Sequence, residues 1–367
     1  MFTTLQAYRG VAALMVVLYH TDAFLWRSGK EFHYGSFQIF DFFDAGVQLF
    51  FVLSGFIILR THRNDLGDRT RARLFIEKRI TRLYPAYIAV TCLVILEYLV
   101  FPELGKNVDL GLGNIVSSLM LSPSGRQPVV APAWTLEHEI LFYAFFSLMI
   151  FRFRWGMAAF LAWQAGCLVN LIAGADQFPM DFFFSANNLL FLFGMGVAAI
   201  AGRGRLRYPA AVAGFGAALL LAAGLHRSFS DAVPPVSAYV IRYGLGAAIL
   251  IAGLVELERS SQLRASRSLC ILGDASYAVY LVHCMILSLG VKLFVSGGLA
   301  GVLPPAVSFA ALALAAVAAG VFFHFAVEMP LTNAVRRRFQ RGAAPARALI
   351  AGFSAQGKVS ELTGRTK

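Results

Sequence analysis

Residues 6 to 26, QAYRGVAALMVVLYHTDAFLW, decide the fold class. The block has the length, about 20 residues, that a helix needs to cross roughly 30 Å of hydrocarbon. It nevertheless carries Arg9 and His20, eleven positions apart. At 100° per residue these differ by only about 20° in azimuth and by roughly 16 Å along the axis, so one face of one helix presents a guanidinium near one end and an imidazole near the other. Arg9 reads as an anchor snorkelling to headgroups and His20 as an interfacial polar residue, or both belong to a site, since ionisable groups inside spans are functional candidates by default. The helix alone leaves both readings open.

Nine further apolar blocks follow, at 42 to 59, 84 to 101, 133 to 151, 156 to 173, 185 to 201, 209 to 225, 237 to 256, 271 to 293 and 305 to 328. The expectation is an all-α integral membrane protein of about ten transmembrane helices. With 58% apolar and 14% charged side chains and a mean hydropathy of +0.67, the composition excludes an ordinary soluble domain. The net charge of +12 raises the question of nucleic acid, and the placement of the charges answers it. Segments 60 to 83, 152 to 155, 202 to 208, 257 to 270 and 329 to 367 hold 8, 2, 3, 3 and 8 of the 32 Lys and Arg residues, three quarters of the total. Those segments share one side if the N-terminus is inside, which is the positive-inside pattern. Both termini are therefore expected in the cytoplasm and no nucleic-acid partner is expected.

Cys92, Cys167, Cys270 and Cys284 sit in or beside spans without metal or redox spacing, so neither a metal nor a disulfide framework is expected. No basic residue precedes Arg9 and no small-residue cleavage site follows, so the first block reads as a retained span rather than a leader. Trp26, Trp134 and Trp155 fall at span ends, as in an interfacial belt. No internal repeat is evident. One membrane domain, 1 to 341, is expected, followed by a mobile cytoplasmic tail, 342 to 367. The segment 102 to 132 is rich in Pro and Gly and holds a short apolar stretch, Ile115 to Leu121, which makes it the candidate roof of an outward-facing cavity.

Four more segments carry polar chemistry. Arg79 and Arg82 stand at i and i+3, and two adjacent guanidiniums suit a phosphorylated ligand because the planar fork binds phosphate oxygens bidentately. They equally suit a topological anchor or anionic lipid. Glu139 lies more than a turn inside the fourth block with Thr135 and Tyr143 at i−4 and i+4, either a site carboxylate or a structural partner. Ser276, Tyr280 and His283 form one stripe down the ninth block, where interhelical hydrogen bonds alone account for Ser276 and Tyr280. His324 and Glu328 read as a local pair. Ser54 and Gly55 permit close helix approach, and Asp41 and Asp44 at the mouth of the second block either bind a sugar, orient His20 or are simply solvated.

Together these segments resemble the membrane-bound acyltransferase-3 family, which O-acylates glycans and other exported molecules. The carriers are Arg9 with His20, Gly46 to Phe56 (GVQLFFVLSGF), Arg79 with Arg82, Trp134 to Tyr143 (WTLEHEILFY) and Gly273 to His283 (GDASYAVYLVH), in family order along most of the chain. The Trp134 segment is similar to that of exopolysaccharide and nodulation-factor O-acetyltransferases. The resemblance implies an O-acetyltransferase of the bacterial cytoplasmic (inner) membrane, acetyl-CoA as donor, a glycan or glycolipid acceptor, and contact with membrane lipid. It implies His20 and Glu139 as catalytic residues, Arg9, Arg79 and Arg82 as the CoA-binding group, and Trp134, Tyr277, Tyr280, His283 and Asp44 in supporting roles, with Glu139 orienting the His20 imidazole. Gln48 departs from the family, which commonly has an acid there, so any support that acid gives must come from another group. The fused extracytoplasmic esterase-like domain of some members is not in this sequence, which places acceptor binding in the membrane domain or on a separate partner. Ten spans with buried ionisable groups also suit a transporter or glycan flippase without acyl transfer, or a membrane scaffold or sensor.

Overall fold

The computed structural model describes residues 2–201, 203, 206–230 and 235–339; the expected tail, 342 to 367, lies outside the described residues. The described chain is all-α. Its helices are α1 (Thr3–Arg27), α2 (Gly29–Phe32), α3 (Ala45–His62), α4 (Arg69–Val100), α5 (Leu112–Met120), α6 (Trp134–Phe151) and α7 (Phe153–Ala173), then α8 (Met180–Phe183), α9 (Leu189–Ile200), α10 (Pro209–Phe229), α11 (Val236–Arg259), α12 (Arg267–Asp274), α13 (Ser276–Ser296) and α14 (Pro305–Phe323). A π turn, His324–Glu328, carries the last helix on to Phe339.

Eight helical segments are long and apolar enough to cross a membrane, and they correspond to eight of the ten expected blocks. The other two blocks form α1 and α6. Both are long helices, and each is diluted by the polar residues that give it interest: Arg9, His20 and Asp22 in one, Glu137, His138 and Glu139 in the other. Outward faces are apolar, with Ile172 on α7 and Leu314 and Phe322 on α14 among the most exposed side chains, as lipid requires.

α1 is enclosed. It packs against α3, α11, α12, α13 and α14, and Ala12, Ala13, Val16 and Val17 are fully buried. Its first turn has amide hydrogens without helical acceptors and a positive dipole end. The Glu258 carboxylate of α11 meets both needs, accepting from Thr3 N at 2.6 Å, Thr4 N at 2.9 Å, Thr3 Oγ at 2.9 Å and the Thr4 hydroxyl. α4 begins well before its expected block, because Asp68 caps it (Thr70 N, 2.9 Å) and the basic run from Arg69 is already helical. At 32 residues it is about 48 Å long, longer than the hydrocarbon, and so brings Arg79 and Arg82 to the end of the bundle where α1 starts.

The tightest crossing is set by glycine. A Cβ at Gly194 of α9 would stand 1.8 Å from the Val52 carbonyl oxygen, and one at Gly55 of α3 2.1 Å from that of Phe191. Backbone thus lies on backbone between α3 and α9, as small residues allow in membrane helices. The small Gly55 read from the sequence is used here, whereas Ser54 faces inward with another task. The loop expected as a roof is anchored by Tyr87 Oη and Tyr84 Oη, which donate to Ser118 O (2.7 Å) and Met120 O (3.0 Å) of α5. Gly194→Val should cost at least about 2 kcal/mol, since overpacking a backbone contact has no side chain to displace. Thermal unfolding of the detergent-solubilised protein checks this; an unchanged midpoint would contradict the crossing.

Candidate active site

Two cavities lie in line along α1. The first, about 110 Å³, is lined by Arg9 of α1, Ser54 of α3, Arg79 and Arg82 of α4, Glu139 and Tyr143 of α6, and Tyr277 and Tyr280 of α13. Three guanidiniums face one carboxylate there. Arg79 and Arg82, one helical turn apart, and Arg9 from another helix converge, although they are remote in sequence. The Arg79 guanidinium lies 5.5 Å from the Phe75 ring centroid and 5.7 Å from that of Tyr143, as cation–π contacts hold it. Asp65 accepts from His62 Nδ1 (2.7 Å), leaving His62 Nε2 to accept from an Arg79 nitrogen (3.3 Å). Arg79 Nε is buried with no partner among the described residues and is suited to an anionic oxygen. Sequence reading missed His62 and Asp65, whose role depends on a turn that the apolar pattern does not reveal.

Glu139 requires a correction. Its carboxylate accepts from Ser54 Oγ at 3.0 Å and from the Tyr143 hydroxyl, in the arginine pocket. It is not the partner of His20. The pairing implied by the resemblance needs both side chains in one place, but Glu139 lies more than a turn into α6 and lines the arginine pocket with residues of α3 and α4, one chamber away from His20. The i+4 pairing with Tyr143 was legible; Thr135 on the same face turns instead to Tyr280 Oη (3.0 Å).

The second cavity, about 840 Å³, is lined by His20 and Tyr19, by Glu97 of α4, by Trp134, Glu137 and His138 of α6, and by Cys284 and Ser288 of α13, with residues 104–108 and 123–132 as its roof. Val47 and Tyr280 line both cavities and form the partition between them. His20 Nδ1 lies 2.9 Å from Val16 O and 3.2 Å from His283 Nε2. A carbonyl only accepts, so neutral His20 carries its proton on Nδ1 and keeps Nε2 as the basic nitrogen. His283 Nδ1 in turn donates to Tyr280 O (2.7 Å) and Val279 O (3.2 Å), so its Nε2 is an acceptor, and Cys284 Sγ is 3.3 Å away from it. His283 therefore occupies the position beside His20 that was expected of Glu139. His20, His283 and Cys284 also bring one ligand-type atom each within 4.8 Å of one another, which makes the trio a candidate metal site as well as an acid–base one.

The other expected residues divide. Trp134 lines the large cavity and Tyr277 the arginine pocket, where its hydroxyl donates to Leu83 O at 2.8 Å and ties α13 to α4. Asp44 lines the large cavity but is paired with Arg227 of α10, not with His20. His324 and Glu328 form the local pair expected of them, at 2.7 Å. Gln48 is buried in α3 and lines neither cavity.

Residues 3–325 match the acyltransferase-3 family model, an acyltransferase domain. The chain belongs to the acyltransferase-3 family. This acyltransferase is 31% identical over 302 residues to the exopolysaccharide production protein ExoZ of Rhizobium meliloti, covering 80% of the chain and 91% of the relative. It is 28% identical over 379 residues to acyltransferase MdmB of Streptomyces mycarofaciens, 93% of the chain and 94% of the relative. A shorter match, 26% identical over 176 residues, joins 46% of the chain to 24% of the peptidoglycan O-acetyltransferase OatA of Listeria monocytogenes. No solved structure matches the acyltransferase. The transporter and scaffold readings give way to a multi-pass membrane enzyme that transfers acyl groups.

His283→Gln should lower acyl transfer by about 10² while leaving donor binding unchanged, the size of an acid–base contribution. Treatment of the purified protein with EDTA should leave the rate where it was. Loss of activity on chelation, restored by zinc, would overturn the acid–base assignment in favour of a metal.

Proposed function

We propose that this acyltransferase moves an acetyl group from cytoplasmic acetyl-CoA to a hydroxyl of an extracytoplasmic or lipid-linked glycan, across the bacterial inner membrane. The observation that carries the reading is the pair of chambers meeting at Val47 and Tyr280, one lined by three arginines and the other holding His20. The charge asymmetry of the loops supports cytoplasmic termini, and α1 and α6 complete ten spans, their polar faces turned to the chambers. The names of two relatives, an exopolysaccharide production protein and a peptidoglycan O-acetyltransferase, support acetyl as the group and a glycan as its destination.

In this reading Arg79, Arg82 and Arg9 hold the CoA phosphates, the unpartnered Arg79 Nε giving one of the forks. The pantetheine arm extends past Tyr280 and delivers the thioester to the His20 chamber. His20 Nε2 removes the proton of the acceptor hydroxyl as its oxygen attacks the thioester carbonyl; the carbon–sulfur bond breaks, and His20 returns the proton to the leaving thiolate. His283 Nε2, accepting from His20 Nδ1, stabilises the imidazolium that forms in between, the part a carboxylate takes in a Ser–His–Asp triad. Glu139 with Ser54 and Tyr143 offsets the charge of the arginines and orients them.

Membranes given radiolabelled acetyl-CoA should pass label to surface glycan. His20→Ala should abolish that transfer with the protein still inserted. Arg79→Ala with Arg82→Ala should raise the KM for acetyl-CoA by about ten-fold or more, since each charge-assisted phosphate contact is worth roughly 1.5–3 kcal/mol. Near-normal transfer by the His20 variant, or unchanged donor affinity in the arginine variant, would contradict the assignment.

A further inference from the structure

The large chamber contains acceptor atoms that have no partner among the described residues. Glu137 is 7% exposed, has no hydrogen-bond or ion-pair partner among the described residues, and lines the chamber. Glu97 is 8% exposed; its Oε1 accepts from Ser288 Oγ at 2.5 Å, whereas Oε2 is buried and unpartnered. Asn187 Oδ1, on the same lining, is also buried and unpartnered. Ionised carboxylates and amide oxygens only accept. Buried acceptors left unmatched call for a donor supplied from elsewhere.

The cations of this chamber do not fill that need. Arg126 is paired with Asp109 at 2.8 Å, Asp44 already takes Arg227, and Arg27 is exposed at the end of α1. Aromatic faces, Trp134 and Tyr98, stand on the same lining and suit the apolar C–H face of a sugar ring. The mechanism above uses none of Glu97, Glu137 and Asn187.

We infer that Glu97, Glu137 and Asn187 form the acceptor subsite, that it takes an uncharged sugar unit through the donor hydrogens of its hydroxyls, and that it rejects a uronate. The inference rests on the proposed glycan acceptor and sharpens it to a class. A uronate would add a third carboxylate to two that are buried and have no cation partner among the described residues, a repulsive element of the kind that specificity needs.

Saturation-transfer NMR on the full-length protein in detergent, with methyl β-glucoside and methyl β-galactoside set against methyl β-glucuronide, tests it. The two neutral glycosides should receive saturation and the glucuronide about ten-fold less. E97Q combined with E137Q should let the glucuronide in, a gain that misfolding does not produce, while E137A should weaken the neutral sugars by about ten-fold. Equal signals from all three glycosides, no signal from either neutral one, or discrimination unchanged in the double variant would each overturn the subsite. Transfer of label from acetyl-CoA is read separately: its absence alongside intact sugar discrimination would defeat the transfer reading and leave the subsite standing.

Discussion

A helix that carries an arginine and a histidine within a bundle of membrane-length apolar helices has to be surrounded, because lipid offers neither charge nor hydrogen bonds. That constraint organises the molecule. α1 is ringed by α3, α11, α12, α13 and α14, and its Arg9 and His20 open onto the two chambers. Its first turn is held by the Glu258 carboxylate, so the register of Arg9 and His20 relative to α11 is fixed at one end. Of the eight strongly apolar helical segments, those of α7, α10 and α14 are the most outward-facing, whereas α3, α4 and α13 line the chambers together with α1 and α6.

The two chambers differ in the electrostatic problem each solves. Around Arg9, Arg79 and Arg82, positive charge exceeds negative, and Glu139 with its two hydroxyl donors offsets part of it. Beyond Val47 and Tyr280, Glu97 and Glu137 face a wide cavity with no cation paired to them among the described residues, and His20 there is backed by a second imidazole. In the proposed reading an anionic donor and a hydroxyl-bearing acceptor have separate homes, with Tyr280 on the partition between them. In that reading a neutral His283 behind His20 gives the imidazolium an acceptor without placing a further negative charge beside the proposed acceptor subsite.

Much of this was legible in the sequence, for reasons that can be named. Span positions follow from apolar length, and the eight long apolar helical segments fall on expected blocks. Helical periodicity placed Arg9 and His20 on one face, Arg79 with Arg82, and Glu139 with Tyr143, since all are local relations within one helix. Partnerships between helices were not legible. The resemblance implies Glu139 beside His20, but position along a span says nothing about azimuth relative to other helices, and Glu139 turns to Ser54 and Tyr143 instead. His283 is legible as the end of a polar stripe and, through the resemblance, as a supporting residue, but its contact with His20 spans 263 positions and is set by how α1 packs on α13. Glu97 went unremarked although a carboxylate inside the third block carries the same signal as Glu139, and Asp44 found Arg227 rather than the imidazole.

The central claim is that one path runs from the arginine pocket through the Tyr280 partition to His20. A structure of the protein with bound coenzyme A tests it most directly. The account predicts the CoA phosphates on Arg79 and Arg82, with the pantetheine thiol passing Tyr280 toward His20 Nε2. Coenzyme A seated in the large chamber, or on the bundle surface with its thiol away from His20, would contradict it.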